Sequence, residues 1–263
     1  MKILIFVAAL TALSIPIYKK FLKLIGGEEY NYERRLIPIS FGGLILFVEL
    51  LSLKIFDSKY SYSSLLYLLI IIIGTLDDLY GDKSIKGLKG HINAFINGYI
   101  TTGIIKAFFG VLIALIFAIL ITDSIQTFIA SFLLIVLMIN GINLFDLRPG
   151  RALKVFFVLF AILALYTPFL AAEKSGFIIL GILLIVFFQD VRAKIMIGDS
   201  GANLLGLHLG IWYSIYLPFI WQLFVILILM LVHIYAEFKS LGKLIENHWL
   251  LNKIDRLGRK ELI

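Results

Sequence analysis

Nine apolar stretches divide this chain, at about 3–18, 37–55, 62–76, 94–121, 125–142, 153–170, 176–188, 202–216 and 218–236. A helix that crosses a bilayer needs roughly 17–25 mostly apolar residues, so the pattern predicts a polytopic helical bundle. Composition supports this. Apolar residues make up 61% and charged residues 16% of the 263 positions, against about 45–50% and about 25% in soluble domains. That balance excludes a soluble globular enzyme and a disordered chain. The absence of cysteine excludes disulfides, Cys-ligated zinc and thiol nucleophiles. The seventh and eighth stretches are short, as expected for helices that stop early at a cavity, and Pro218 separates the last two.

Charge distribution predicts sidedness. The first stretch reads as a retained helix, because only Lys2 precedes it while Lys19, Lys20 and Lys23 follow, with no clear cleavage site. With the N-terminus outside, the polar segments 19–36, 77–93, 143–154, 189–201 and 237–263 face the cytoplasm. They hold 19 of the 24 Lys and Arg residues, against 4 on the outer side, so the positive-inside rule sets the orientation. It also accounts for the net charge of +7 without nucleic acid. Thirteen of the 17 acidic residues lie in the same inner segments. They either balance local basic residues or form a metal or phosphate site.

Four inner segments carry the candidate chemistry. Asp77 and Asp78 end the third stretch with no basic neighbour before Lys83. Paired carboxylates at membrane depth point to function and suit Mg²⁺, which takes one or two carboxylates plus substrate phosphates; an interfacial acidic turn is the competing reading. The loop that follows has Lys86 and Lys89 among glycines and can approach a phosphate, or simply supply inner positive charge. Lys106 lies within an apolar stretch and must snorkel or face a polar cavity. Asn140 and Asn143 share a helix face, with Asp146 on the loop beyond; they could bind a nucleotide or metal, or form an Asn-Gly turn. Arg148 and Arg151 add guanidiniums suited to phosphate. In Gly198-Asp199-Ser200-Gly201, Asp199 or Ser200 could cap the next helix. Alternatively Asp199 could reach a metal beside a helix N-terminus that favours phosphate. The tail from Glu237 reads as a basic amphipathic helix.

In this order the segments resemble the polyprenyl-phosphate N-acetylhexosamine-1-phosphate transferases (glycosyltransferase family 4). Ile37 to Gly43 looks like the family's Gly-Gly start of its second helix. Leu76-Asp77-Asp78 is similar to its acid pair, Asn140 to Asp146 to its Asn-x-x-Asn-x-x-Asp motif, and Ala193 to Gly201 to its Gly-Asp-x-Gly stretch. The chain departs from the pattern where Pro149 replaces a second acid, where Met196 replaces an aromatic residue, and where the family's His-rich loop is missing.

The resemblance implies an all-α fold of about nine spans in one transferase domain, residues 1–263, with a cytoplasmic tail at 237–263. It implies transfer of a sugar-1-phosphate from a UDP-sugar to a polyprenyl phosphate at the inner face of the plasma membrane, with release of UMP. Mg²⁺ is the implied cofactor, Mn²⁺ the alternative. Asp78 and Asp199 would hold the metal, Asp77 would orient or deprotonate the lipid phosphate, and Asn140, Asn143 and Asp146 would set the nucleotide side. Lys86, Lys89, Lys106, Arg148 and Arg151 would take phosphates, with Arg256 and Arg259 on the donor. A homodimer is a further expectation. An ion-coupled transporter and an inactive scaffold of the same family are the competing readings.

Overall fold

The computed structural model describes residues 2–56, 64–82, 85, 87–167 and 174–259. It is an all-α bundle with one small hairpin. Helix α1 (Lys2–Leu24) leads into strands β1 (Glu28–Tyr30) and β2 (Leu36–Pro38), followed by α2 (Gly42–Phe56), α3 (Ser64–Tyr80), α4 (Gly87–Ile96), α5 (Thr102–Ile121) and α6 (Ile125–Phe145). Then come α7 (Arg151–Tyr166), α8 (Lys174–Asp190), α9 (Gly198–Tyr216), α10 (Phe219–Phe238) and the short tail helices α11 (Leu241–Asn247) and α12 (Trp249–Arg256).

Among the described residues, four helices are long and apolar enough to cross a membrane: α1, α5, α6 and α10. The other five apolar stretches coincide with α2, α3, α7, α8 and α9, which have 15 to 19 residues. At about 1.5 Å per residue, a 15-residue helix reaches only part of a hydrocarbon core about 30 Å thick.

Two predicted boundaries are corrected. The stretch 94–121 is not one helix. It breaks after Asn97-Gly98, where Gly98 has φ +79, and α5 restarts under the Thr101 side chain, which accepts the Ile104 N–H. The stretch 37–55 likewise begins as strand and becomes helical only at Gly42, after Ser40 at φ +80. The hairpin itself pairs Glu28 with Pro38 and Tyr30 with Leu36. Its turn is closed by the Asn31 side-chain oxygen, which accepts the N–H groups of Glu33 and Arg35 at 2.9 Å each.

Helix α9 is the buried axis of the bundle, with every residue from Ser200 to Tyr213 buried. Its glycines let neighbours approach to backbone distance. A Cβ on Gly210 would stand 2.7 Å from the Ile135 Cα of α6. On α3, a Cβ on Gly74 would stand 2.5 Å from the Ser200 Cα. This contact brings the end of α3 against the start of α9.

Candidate active site

Asp77 and Asp78 occupy the last turn of α3, Asp199 the first turn of α9, Lys106 the second turn of α5, and Asp146 the C-cap of α6. These helix ends meet at one end of the bundle. The Lys106 ammonium lies 2.6 Å from Asp77 Oδ2 and 2.6 Å from Asp199 Oδ2, so one cation bridges two carboxylates that are distant in sequence. This satisfies a lysine that the apolar stretch around it would leave stranded.

Asp78 has a different role from Asp77. Its Oδ1 accepts the Asp199 N–H at 2.8 Å and its Oδ2 accepts the Ser200 N–H at 3.3 Å. One of the two sequence readings has Asp199 or Ser200 capping its own helix. Instead the N-cap position is Ile197, which offers no side-chain bond, and α3 supplies the cap. The physical reason is that Gly198, at φ +67, turns the first amides of α9 toward α3. Ser200 bonds across helices: its hydroxyl accepts from the Ser40 hydroxyl at 2.8 Å and from the Gly42 N–H at 3.1 Å. The Ser40 oxygen also lies 2.8 Å from Thr75 Oγ1, whose hydroxyl can donate to it. The chain around Ser40 is held by backbone bonds from Phe41 N–H to Ile197 O and from Met196 N–H to Pro38 O, both 2.9 Å.

Asp146 accepts the Gly198 N–H. Desolvation, with the nearby charges of Asp190, Asp199 and Asp78, holds its carboxyl well above the usual range. Asn143 is half-buried and Asn140 exposed, both near the end of α6.

The sequence reading missed Asp190. It is 3% exposed and accepts the Gly150 N–H at 2.7 Å, and also the Ile197 N–H. It therefore ties the loop after Asp146 to the turn before Asp199. Burial pushes its pKa up to about 7 against these two hydrogen bonds. An acid closing an apolar stretch, between Gln189 and Val191, was the available signal.

The expected phosphate-binding residues divide. Arg151 is 4% exposed and grips Asp255 of α12 through two bonds, Nε to Oδ1 at 2.9 Å and Nη2 to Oδ2 at 2.8 Å. Arg259 grips the same carboxylate at 2.7 and 3.0 Å and donates to Pro149 O at 2.8 Å. Both guanidiniums thus neutralise a buried acid and are not directed at an open site. Burial raises the Asp255 pKa, but the Arg151 hydrogen bonds and the Arg259 charge outweigh it and hold the carboxyl below its usual value. Arg148 is exposed, 3.6 Å from Glu246 and 5.7 Å over the Tyr32 ring. Arg256 is exposed and donates to Asn252 at 3.0 Å. Lys86 and the side chain of Lys89 lie outside the described residues.

Among the described residues, no three Asp, Glu or His side chains form a metal-holding group on their own. The pair Asp77–Asp199 nonetheless offers two hard oxygens already converging on one cation. Two carboxylates completed by substrate phosphate oxygens form a donor set of the kind Mg²⁺ uses, so the residues fit that ion.

No family model matches this chain, and no curated protein sequence matches it either.

Proposed function

We propose that this protein is a Mg²⁺-dependent phosphotransferase that moves a sugar-1-phosphate, of the N-acetylhexosamine class, from a UDP-sugar to a polyprenyl phosphate at the cytoplasmic face of the plasma membrane. The observation that carries this reading is the Lys106 ammonium held at 2.6 Å from both Asp77 and Asp199, with Asp78 and Asp146 braced on the same turn of α9. Acids and a lysine gathered at abutting helix ends suit a reaction whose main obstacle is repulsion between two phosphorylated substrates.

In this reading an oxygen of the lipid phosphate bonds to the β-phosphorus of the donor. The bond from that phosphorus to the bridging oxygen breaks, and UMP leaves with the electron pair. Bound Mg²⁺ would neutralise the donor diphosphate as charge moves to the leaving group. Asp199 and Asp77 are the residues best placed to hold it, since both Asp78 oxygens already accept backbone amides. Lys106 reaches the acceptor phosphate once released from the two acids. Asp77 orients that phosphate, which is largely dianionic at neutral pH with a second pKa of about 6 and so needs little help from a base. Asp146, with Asn143 and Asn140, sets the nucleotide side, and Arg148 and Arg256 supply positive charge.

The test is transfer of labelled sugar phosphate to undecaprenyl phosphate by purified protein, with UMP release, across UDP-GlcNAc, UDP-GalNAc and UDP-MurNAc-pentapeptide. One observation favours the transporter alternative. Glu49 and His208, 5% and 3% exposed, meet inside the bundle at 3.2 Å between Oε2 and Nε2. Proton or sodium flux in liposomes without UMP release would select that reading. Neither flux nor transfer would select the scaffold.

A further inference from the structure

The tail helix α12 has two unlike faces. Asp255 points into the bundle, 6% exposed, gripped by Arg151 and Arg259, and its backbone carbonyl accepts from Lys154 at 2.6 Å. At 100° per residue, the side opposite Asp255 carries Trp249, Leu250, Lys253 and Leu257, with Ile254 beside them. All five are exposed, Trp249 by 75%. An apolar face this dense on so short a helix needs a cover.

Two observations identify the cover. The chain enters this tail directly from α10, one of the four helices able to cross a membrane, through the single turn at Lys239 and Ser240. The tail therefore starts where a span ends. The tail also exposes Lys243 on α11 and Lys253 and Arg256 on α12, with Lys253 5.6 Å over the Trp249 ring. An amphipathic aromatic residue beside basic side chains matches the headgroup layer of a bilayer with anionic lipids. We propose that α12 lies in the interface of the same membrane, with Trp249, Leu250 and Ile254 among the acyl chains and the lysines on anionic headgroups. The tail is then a second membrane contact, fastened to the bundle by Asp255.

The chain has no cysteine, so single nitroxide labels need no background substitutions. The full chain is placed in nanodiscs of phosphatidylcholine with or without phosphatidylglycerol, labelled at Leu250→Cys, Ile254→Cys or, as an aqueous reference, Glu246→Cys. Collision rates with oxygen and with a water-soluble nickel chelate are measured. The expected result is a shift toward oxygen at 250 and 254 relative to 246. It should be larger with the anionic lipid and reduced by Lys243→Glu combined with Lys253→Glu. Water-like accessibility at both positions overturns the proposal. So does an oxygen preference indifferent to both lipid charge and the lysine changes. Labels shielded from both reagents, with spin–spin broadening that scales with the labelled fraction, also overturn it, because a second copy is then the cover. These readouts are independent of transfer activity.

Discussion

Asp78 and Asp199 are joined through the backbone: the Asp78 carboxylate accepts the Asp199 N–H at 2.8 Å, so α3 caps a helix that begins about 120 residues later. Burial makes this cap more valuable than a surface one, because an unmet buried amide costs more than a neutral hydrogen bond gains.

Asp78→Ala therefore removes the acceptor of two amides and should destabilise the protein by about 1–3 kcal/mol, with loss of transfer. Asp78→Asn keeps an acceptor oxygen and should recover part of the stability. Thermal unfolding of the two variants in one detergent checks the order; equal melting temperatures would contradict a capping role.

Lys106→Met leaves Asp77 and Asp199 facing each other without their shared cation. Transfer should fall by about 100-fold or more, the scale seen when one charge-stabilising group is removed, and Lys106→Arg should retain more activity than Met. Initial rates at saturating Mg²⁺ test this. Wild-type rates in the Met variant would remove Lys106 from the mechanism.

Gly74→Ala tests the α3–α9 approach. Its Cβ would meet the Ser200 Cα at 2.5 Å and the Ser200 N at 2.7 Å, both backbone atoms that cannot swing aside. The expected cost is about 1–3 kcal/mol, as for other overpacked sites, and the displaced Asp78 should lower transfer as well. The melting temperature and the rate should drop together.

Asp255→Ala leaves the Arg151 guanidinium buried without a partner, which typically costs about 3–5 kcal/mol. Replacing both residues by apolar ones of similar size (Arg151→Met with Asp255→Leu) should recover part of that loss, because Arg259, which grips the same carboxylate, still loses its partner. Because the Asp255 carboxyl is held below its usual value, its stabilisation is present above the ordinary carboxylate range and is lost as pH falls through the lowered pKa. Acid unfolding of the wild type and the double variant provides the comparison.

Asp190 should behave in the opposite way. Its pKa is raised to about 7, so the folded state holds the proton more tightly than the unfolded chain. The resulting stability is full below the ordinary carboxylate pKa of about 3.9 and declines as pH rises to about 7. The difference in melting temperature between wild type and Asp190→Asn should fall across that window and level off above it. A difference that stays constant with pH would contradict the shift.

The sequence conveyed the class of fold and much of the cluster, for local reasons. Apolar runs mark helices whatever they pack against. Asp77, Asp78, Asp199 and Lys106 are conspicuous because charge is costly beside such runs. What it concealed depends on partners distant in the chain. Nothing near Asp78 indicates that its acceptors serve the amides of Asp199 and Ser200. Arg151 reads as a free guanidinium until Asp255, 104 residues away, is seen to bind it. The break inside 94–121 was partly legible in Asn97-Gly98, but a glycine can also sit within a helix, and the positive φ of Gly98 decided it.

The glycine contacts around Ser200 have one more consequence. A Cβ on Gly42 would lie 2.5 Å from the Ser200 carbonyl, and one on Gly74 would lie 2.5 Å from its Cα, so three helices touch at a single residue with no side-chain cushion between them. Such a joint transmits displacement without slack. A ligand that pulls on any of these helices should move the other two with it, and Asp77, Asp78 and Asp199 should shift as one rigid unit.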